Sequence, residues 1–156
     1  MVPPLLFDIS HIDLNQVQIE GERLEQINPQ RGDMRMLDGV FWYDPETVCA
    51  VAFKDVRDDE FWVPGHIPGR PLFPGVLMIE AGAQLASFMV LSYTKQKFLG
   101  FAGCEKVKFR GQVVPGDRLL LLGSKIQFKP RRAICAIQGL VKGKLVFEAT
   151  VIGMPM

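Results

Sequence analysis

Side chains that bind metals or form disulfide bonds are scarce in this sequence. Its 156 residues include only two histidines and three cysteines, which are Cys49, Cys104 and Cys135. No two cysteines form a C-x-x-C pair, and an odd number of widely separated thiols does not build a disulfide framework. We therefore expect free thiols, a cytoplasmic location and no metal site.

Long hydrophobic segments are also missing. The first four residues lack a basic region followed by an apolar run, so we expect no signal peptide. The apolar stretch from Val76 to Leu91 is short for a membrane span and contains polar residues, so we expect no span. No basic run alternates with aromatic residues, which argues against nucleic-acid binding.

Charge is balanced overall but unevenly distributed. The net charge is +1. Residues 1–60 contain five Lys/Arg and thirteen Asp/Glu, a net charge of −8, whereas residues 61–156 contain thirteen and four, a net charge of +9. This asymmetry favours an acidic partner for the C-terminal part, although the acidic N-terminal segment could instead lie against the basic remainder.

One stretch concentrates proline and glycine and leads into an apolar segment. Residues 65–75, with the sequence GHIPGRPLFPG, contain three prolines and three glycines, which predict a stiff, tightly bent loop. From Pro74 to about Tyr93 the chain is apolar and free of further proline, which predicts a helix that begins at that proline. Because the helix is apolar almost all the way round, we expect it to be buried.

The predicted helix and its loop carry candidate catalytic groups. Glu80 and Gln84 are four residues apart and therefore lie on one helix face. A carboxyl group among apolar residues needs a partner or keeps its proton, and His66 in the preceding loop is a candidate partner. No Ser, Thr, Asp or Asn caps the helix start, so the N–H groups near Gly75 and Val76 are available to a ligand oxygen. These groups suit proton transfer next to a carbonyl.

The rest of the chain has the pattern of strands. Residues 34–53 predict a hairpin that turns at residues 44–46. After the helix, strands are predicted at residues 98–102, 104–110, 118–128, 133–141 and 145–152, the last three as an antiparallel meander. In residues 104–110 alternation predicts a charged face and a core face, with Val107 and Phe109 on the latter. We interpret residues 31–156 as one α+β domain and residues 1–30 as an extension, partly helical, that packs on it.

Three blocks of residues resemble the 3-hydroxyacyl-[acyl carrier protein] dehydratases of bacterial type II fatty acid synthesis. The most specific block is GHxPGxPxFPGVLxxEAxAQ, which is residues 65–84. The others are Phe101-Ala102-Gly103 with residues 113–117, and Gly143-Lys144 with residues 148–150. The likeness covers roughly residues 30–153.

The resemblance implies a hot-dog fold, in which an antiparallel sheet wraps a long central helix. It also implies a dimer in which the sheets join and each active site draws residues from both subunits. By position in the motif, His66 is the catalytic histidine and Glu80 the catalytic carboxylate. The backbone N–H groups of Gly75 and Val76 bind the thioester carbonyl, and Gln84 supports the carboxylate. Glutamate rather than aspartate at position 80 matches the branch of the family that lacks isomerase activity.

The implied reaction is the loss of water from a 3-hydroxyacyl thioester to give a trans-2-enoyl thioester. The substrate would arrive on an acyl carrier protein through its own phosphopantetheine arm, and no further cofactor is expected. Because that carrier is acidic, the candidate docking residues are the basic side chains Lys106, Lys108, Arg110, Arg131 and Arg132. The homodimer could assemble further into a trimer of dimers. Two alternatives stay open, which are an acyl thioesterase of the same fold and a non-catalytic acyl-binding or scaffold subunit.

Overall fold

The computed structural model describes all 156 residues and contains one long helix, α2, which runs from Gly75 to Tyr93. Its start at the residue after Pro74 and its end at Tyr93 are those predicted from the sequence. The other elements, in chain order, are β1 (Ile19–Glu20), α1 (Gly21–Glu25), β2 (Gly39–Asp44), β3 (Cys49–Asp55), β4 (Leu99–Phe109), β5 (Arg118–Lys129), β6 (Arg132–Val141) and β7 (Lys144–Pro155).

All seven strands form a single antiparallel sheet in the order β1-β2-β3-β5-β6-β7-β4. The predicted hairpin is β2–β3, and the predicted meander is β5–β6–β7. Strand β4 follows the helix in sequence but lies beyond β7, so one of its edges ends the sheet. The α+β hot-dog architecture is thus confirmed, with α2 packed against the sheet.

Two details of the strand prediction are wrong. Strand β2 begins at Gly39 instead of residue 34, because Gly32–Met34 form a 3₁₀ turn and the backbone N–H of Met36 bonds to a helix side chain. The two strands predicted at 98–102 and 104–110 are one strand, β4, whose register shifts after Phe101 and after Glu105. Phe109 is paired with the buried Phe147 of β7 and so lies on the predicted core face, although at this edge strand it is 50% exposed.

The core lies between α2 and the concave face of the sheet. Side chains of the helix such as Met78, Leu85 and Phe88 pack in a cluster of 28 buried residues with Leu121 and Phe147 from the strands. Burial of this apolar surface is the main stabilising contribution. By length and hydropathy α2 could cross a membrane, but 56% of its most apolar window is buried inside the domain, as expected for a core helix.

The first 17 residues cover part of the opposite face of the sheet. Leu6, Phe7 and Ile12 belong to a second apolar cluster with Phe41 and Leu122. The side chain of Gln138 fixes this segment, because its Oε1 accepts the N–H of Leu6 at 2.9 Å and its Nε2 donates to the carbonyl of Pro4 at 2.9 Å. The segment therefore shields sheet residues that would otherwise face water.

Candidate active site

His66 lies in the irregular loop between β3 and α2. Its backbone N–H donates to the carbonyl of Trp62 at 2.8 Å. Its ring Nδ1 lies 2.6 Å from the carbonyl oxygen of Leu72. A carbonyl can only accept, so we assign the proton to Nδ1, which leaves the lone pair of a neutral imidazole on Nε2. The loop thus presents a histidine that is oriented and able to take a proton.

The residue after the histidine has a strained backbone. Ile67 has a φ angle of 57°. This left-handed conformation is unfavourable for a β-branched residue, and such strain persists only where surrounding contacts hold it. The carbonyl of Ile67 accepts the N–H of Arg70 at 2.9 Å, which closes the turn. The bend that aims His66 is therefore imposed by the structure around it.

The start of α2 offers unused donors. Its N-cap is Pro74, and no side chain bonds to the first turn. The carbonyl of Pro74 already accepts the N–H groups of Leu77 and Met78, at 2.9 and 3.1 Å, whereas those of Gly75 and Val76 have no protein acceptor. With the positive end of the helix dipole, these two N–H groups form a site for a negatively charged oxygen.

His66 and the helix start line the same cavity. It has a volume of about 610 Å³, and its wall also includes Phe73, Met78 and Phe109. A Cβ atom added to Gly75 would lie 2.9 Å from Cζ of Phe109, so the absence of a side chain at Gly75 lets the ring approach the helix start. The cavity is thus an apolar slot with one base and a pair of N–H donors, dimensions that fit an acyl chain with its thioester.

Glu80 lies elsewhere. Its Oε1 accepts a hydrogen bond from Nε2 of Gln84 at 2.8 Å, and it lines a second cavity of only about 40 Å³ with Gln30 and Phe101. No nitrogen–oxygen contact within 4.0 Å joins it to His66 in the same chain. The reason is geometric, since five helical residues from Gly75 correspond to a rise of about 7.5 Å and a rotation of about 140°.

Gln84 is the residue that holds this region together. Its side chain is buried, at 1% exposure. Besides bonding to Glu80, its Nε2 donates to the carbonyl of Met34 at 2.6 Å, and its Oε1 accepts the N–H of Met36 at 2.8 Å. Asn28 donates to its backbone carbonyl at 2.9 Å. One amide therefore fixes both the Glu80 carboxyl and the segment that leads into β2.

The basic residues considered for carrier docking lie at different places. Lys106 and Lys108 are exposed on edge strand β4, and Arg110 just beyond it bonds to Glu148 at 2.7 Å. Arg131 and Arg132 are at the β5–β6 turn. Phe109 at the slot is in register, across β7 and β6, with Leu121 on β5, so this turn is about ten residues or about 30 Å farther along the sheet.

Sequence reasoning did not single out Phe109, Leu72 or Gln112 as residues of the slot. Leu72 acts through its backbone carbonyl, which no residue type signals. Alternation placed Phe109 on the core face, where it pairs with the buried Phe147, but the pattern did not indicate that its ring borders the slot. Stacking on Phe147, with ring centroids 5.8 Å apart, keeps it at the wall.

Comparisons with known proteins identify the family of the chain. The model of the FabA-like domain family matches residues 28–150. A 3-hydroxyacyl-[acyl-carrier-protein] dehydratase FabZ of Streptococcus pneumoniae strain Hungary19A-6 is 36% identical over 136 residues, which are 86% of this chain and 94% of that protein. The enzyme of the same name from strain G54, serotype 19F, is 37% identical over 131 residues, which are 83% and 91% of the two chains.

Solved structures support the fold. The dehydratase heterocomplex ApeI:P from Xenorhabdus doucetiae superimposes with a TM-score of 0.72 at 13% identity, over 85% of this chain and 90% of that one. A hypothetical thioesterase with coenzyme A from Streptococcus pneumoniae TIGR4 gives 0.60 at 11% identity, over 75% and 84%. At such low identity these likenesses concern the fold alone. With its family-model match and its 36% identical relative, the chain belongs to the FabA-like domain family.

Proposed function

We propose that this protein is a 3-hydroxyacyl-[acyl carrier protein] dehydratase of fatty acid synthesis, the activity for which its curated relatives are named. The observation that carries the proposal is the slot in which an oriented histidine and two free helix-start N–H groups face the same space. The reaction removes one proton from C2 of the acyl chain and the hydroxyl from C3. The products are a trans-2-enoyl thioester and water.

His66 is the base in this proposal. Its Nε2 carries the lone pair, because Nδ1 holds its proton against the Leu72 carbonyl. As the C2 proton leaves, negative charge builds up on the thioester carbonyl oxygen. The N–H groups of Gly75 and Val76 stabilise that charge by donating hydrogen bonds to the oxygen, a contribution of about 3–4 kcal/mol for an oxyanion site of this type.

Glu80 is the proposed acid for the leaving hydroxyl. Within one chain it lies in a separate cavity, so the proposal requires the partner subunit's Glu80 to approach His66 in a homodimer. Two observations support a dimer through the β4 side of the domain. Strand β4 ends the sheet and leaves one edge open for pairing, and apolar residues around it are exposed, Phe101 at 54% and Val76 at 71%. A trimer of such dimers is compatible with the same contacts.

The proposed partner is an acidic acyl carrier protein that brings the phosphopantetheine arm, so no other cofactor is needed. A third cavity, which is open and has a volume of about 730 Å³, shares Gly111 and Gln112 with the slot. Its wall includes Arg110, Lys142 and Lys144. This placement favours docking at that mouth over docking at the distant turn of Arg131 and Arg132. We further propose a cytoplasmic location, where carrier and substrate are made available together.

The test is incubation with a panel of 3-hydroxyacyl thioesters, followed by the near-ultraviolet absorbance of the enoyl product. His66→Ala and Glu80→Gln should each reduce turnover at least ~10²-fold. Release of free thiol without enoyl product would instead indicate a thioesterase, and binding without either product a non-catalytic acyl-binding subunit.

Mixing the two variants tests the shared site. If each site combines His66 of one subunit with Glu80 of the other, a heterodimer of one His66→Ala subunit and one Glu80→Gln subunit retains one intact site. Random reassembly then restores about a quarter of wild-type activity. A mixture no more active than its components would show that both residues must come from one chain.

A further inference from the structure

A buried ion pair outside the slot joins strand β3 to the loop that carries His66. Nζ of Lys54, on β3, lies 2.6 Å from Oε1 of Glu60, and the two side chains are 3% and 6% exposed. The second oxygen of Glu60 accepts the backbone N–H of Arg57 at 2.7 Å. A buried ion pair is often no more stabilising than apolar residues of the same volume, so overall stability alone gives little reason for this one.

The carboxylate end of the pair begins the turn that orients His66. The backbone carbonyl of Glu60 accepts the N–H of Val63 at 3.1 Å, and the next turn follows from the carbonyl of Trp62, which accepts those of Gly65 and His66 at 3.3 and 2.8 Å. The strained Ile67 comes directly afterwards. Glu60, held by its ion pair with Lys54, thus begins a series of backbone hydrogen-bonded turns that ends at His66.

The ammonium end of the pair touches the segment that leads to the helix start. Nζ of Lys54 lies 5.7 Å from the centroid of the Phe73 ring. That ring is buried, packs on Trp62 with centroids 5.5 Å apart, and is two residues before Gly75. The ion pair therefore lies behind both the turn that leads to His66 and the Phe73 ring of the slot, while neither Lys54 nor Glu60 lines the slot.

We propose that Lys54 and Glu60 are positioning residues that fix the imidazole of His66 relative to the N–H groups at the start of α2. This inference rests on the proposed catalytic role of His66. Base and oxyanion site must act on adjacent atoms of the thioester, so a small displacement of the loop lowers the rate of the chemical step. Substrate binding, which depends on the apolar walls, changes little.

The principal test uses the double variant Lys54→Met/Glu60→Leu, which removes both charges at similar volume and leaves no unpaired buried ion. We expect kcat to fall by about 10- to 100-fold while KM stays within about threefold. The matched control is Asp55→Asn, at the next residue of β3, which breaks an exposed ion pair with Arg118 and should retain wild-type kcat. Lys54→Met/Glu60→Gln, which also leaves no unpaired charge and keeps an acceptor for the backbone N–H of Arg57, serves the same test if the first double variant does not fold, with an expected loss of about tenfold.

A spectroscopic measurement separates positioning from a general loss of stability. The protein has only two histidines, so ¹⁵N imidazole spectra contain two sets of signals, and His11, remote from the pair in the N-terminal segment, is an internal reference. The wild-type His66 ring should be the Nδ1–H tautomer, and the variant should show a mixture of tautomers. A folded variant that keeps either the wild-type kcat or the pure tautomer overturns the proposal. If His66→Ala alone retains full turnover, the catalytic assignment fails, while the tautomer change still reports on positioning.

Discussion

Replacement of Gln84 by leucine is expected to be costly because its amide has three side-chain hydrogen bonds at a buried position. Gln84→Leu leaves the N–H of Met36 and the carbonyl of Met34 without partners, and it removes the bond to Glu80. The buried N–H of Met36, left unsatisfied, lowers the free energy of unfolding by about 1–3 kcal/mol, and the part-buried carbonyl of Met34 adds a smaller cost. That is a large share of the about 5–15 kcal/mol typical of a domain.

Urea unfolding followed by circular dichroism measures this loss, and the enoyl-forming assay measures turnover on protein that is still folded. The matched control is Gln127→Leu, the same change at an exposed position of β5, where we expect a change within about 0.5 kcal/mol. Turnover should fall at least about tenfold for Gln84→Leu alone, because the Glu80 carboxyl loses its only side-chain donor. A loss below about 1 kcal/mol would refute the claim that this amide joins α2 to the β2 segment.

Three further predictions concern other parts of the molecule. Gly75→Ala should lower kcat/KM by about tenfold with stability retained, since its methyl group would take the space against the half-exposed Phe109 ring; an unchanged kcat/KM would contradict this. Burial raises the pKa of the Cys135 thiol to about 12. The unfolded thiol loses its proton first, so the free energy of unfolding should fall by up to about 1.4 kcal/mol per pH unit between about pH 9 and pH 12. Urea unfolding of Cys135→Ala should lack that slope, and equal slopes would refute the assignment. Hydrogen bonds from Arg118 lower the pKa of Asp55. Their contribution is complete above about pH 4 and is lost as the pH falls through the lowered pKa, and solvent screening limits the cost of Asp55→Asn at pH 7 to about 1 kcal/mol. A cost that persists at pH 2 would exclude this pair as its cause.

The sequence was most informative where local chemistry determines structure. Pro74 cannot continue a preceding helix but is tolerated at the start of one, and the apolar run after it ends at Tyr93, so both bounds of α2 were predictable. The missing cap was equally readable, because it depends only on which residue types precede the helix. The slot's donors therefore followed from the sequence.

What could not be predicted depends on contacts between distant residues. The register shifts of β4 could not be predicted, because simple alternation does not show where a strand is irregular. The partner of Lys54 could not be predicted either, since Glu60 lies six positions later in an irregular loop and nothing in the composition places both in the interior. The N-terminal segment has weak periodicity, yet its apolar residues find a complementary sheet face, held by a glutamine more than 130 positions away.

The position of Glu80 on α2 also bears on the number of chains in a working site. The N–H donor of Gly75 and the Glu80 carboxyl are parts of one rigid helix, so no loop movement can bring them to the same side. Their separation of about 140° and about 7.5 Å exceeds the distance between adjacent substrate carbons. The two cavities are, however, both at the β4 side of the domain, since Phe109 borders one and Phe101 the other. The proposed reaction therefore requires two copies that approach through this side, with the Glu80 of each near the slot of the other.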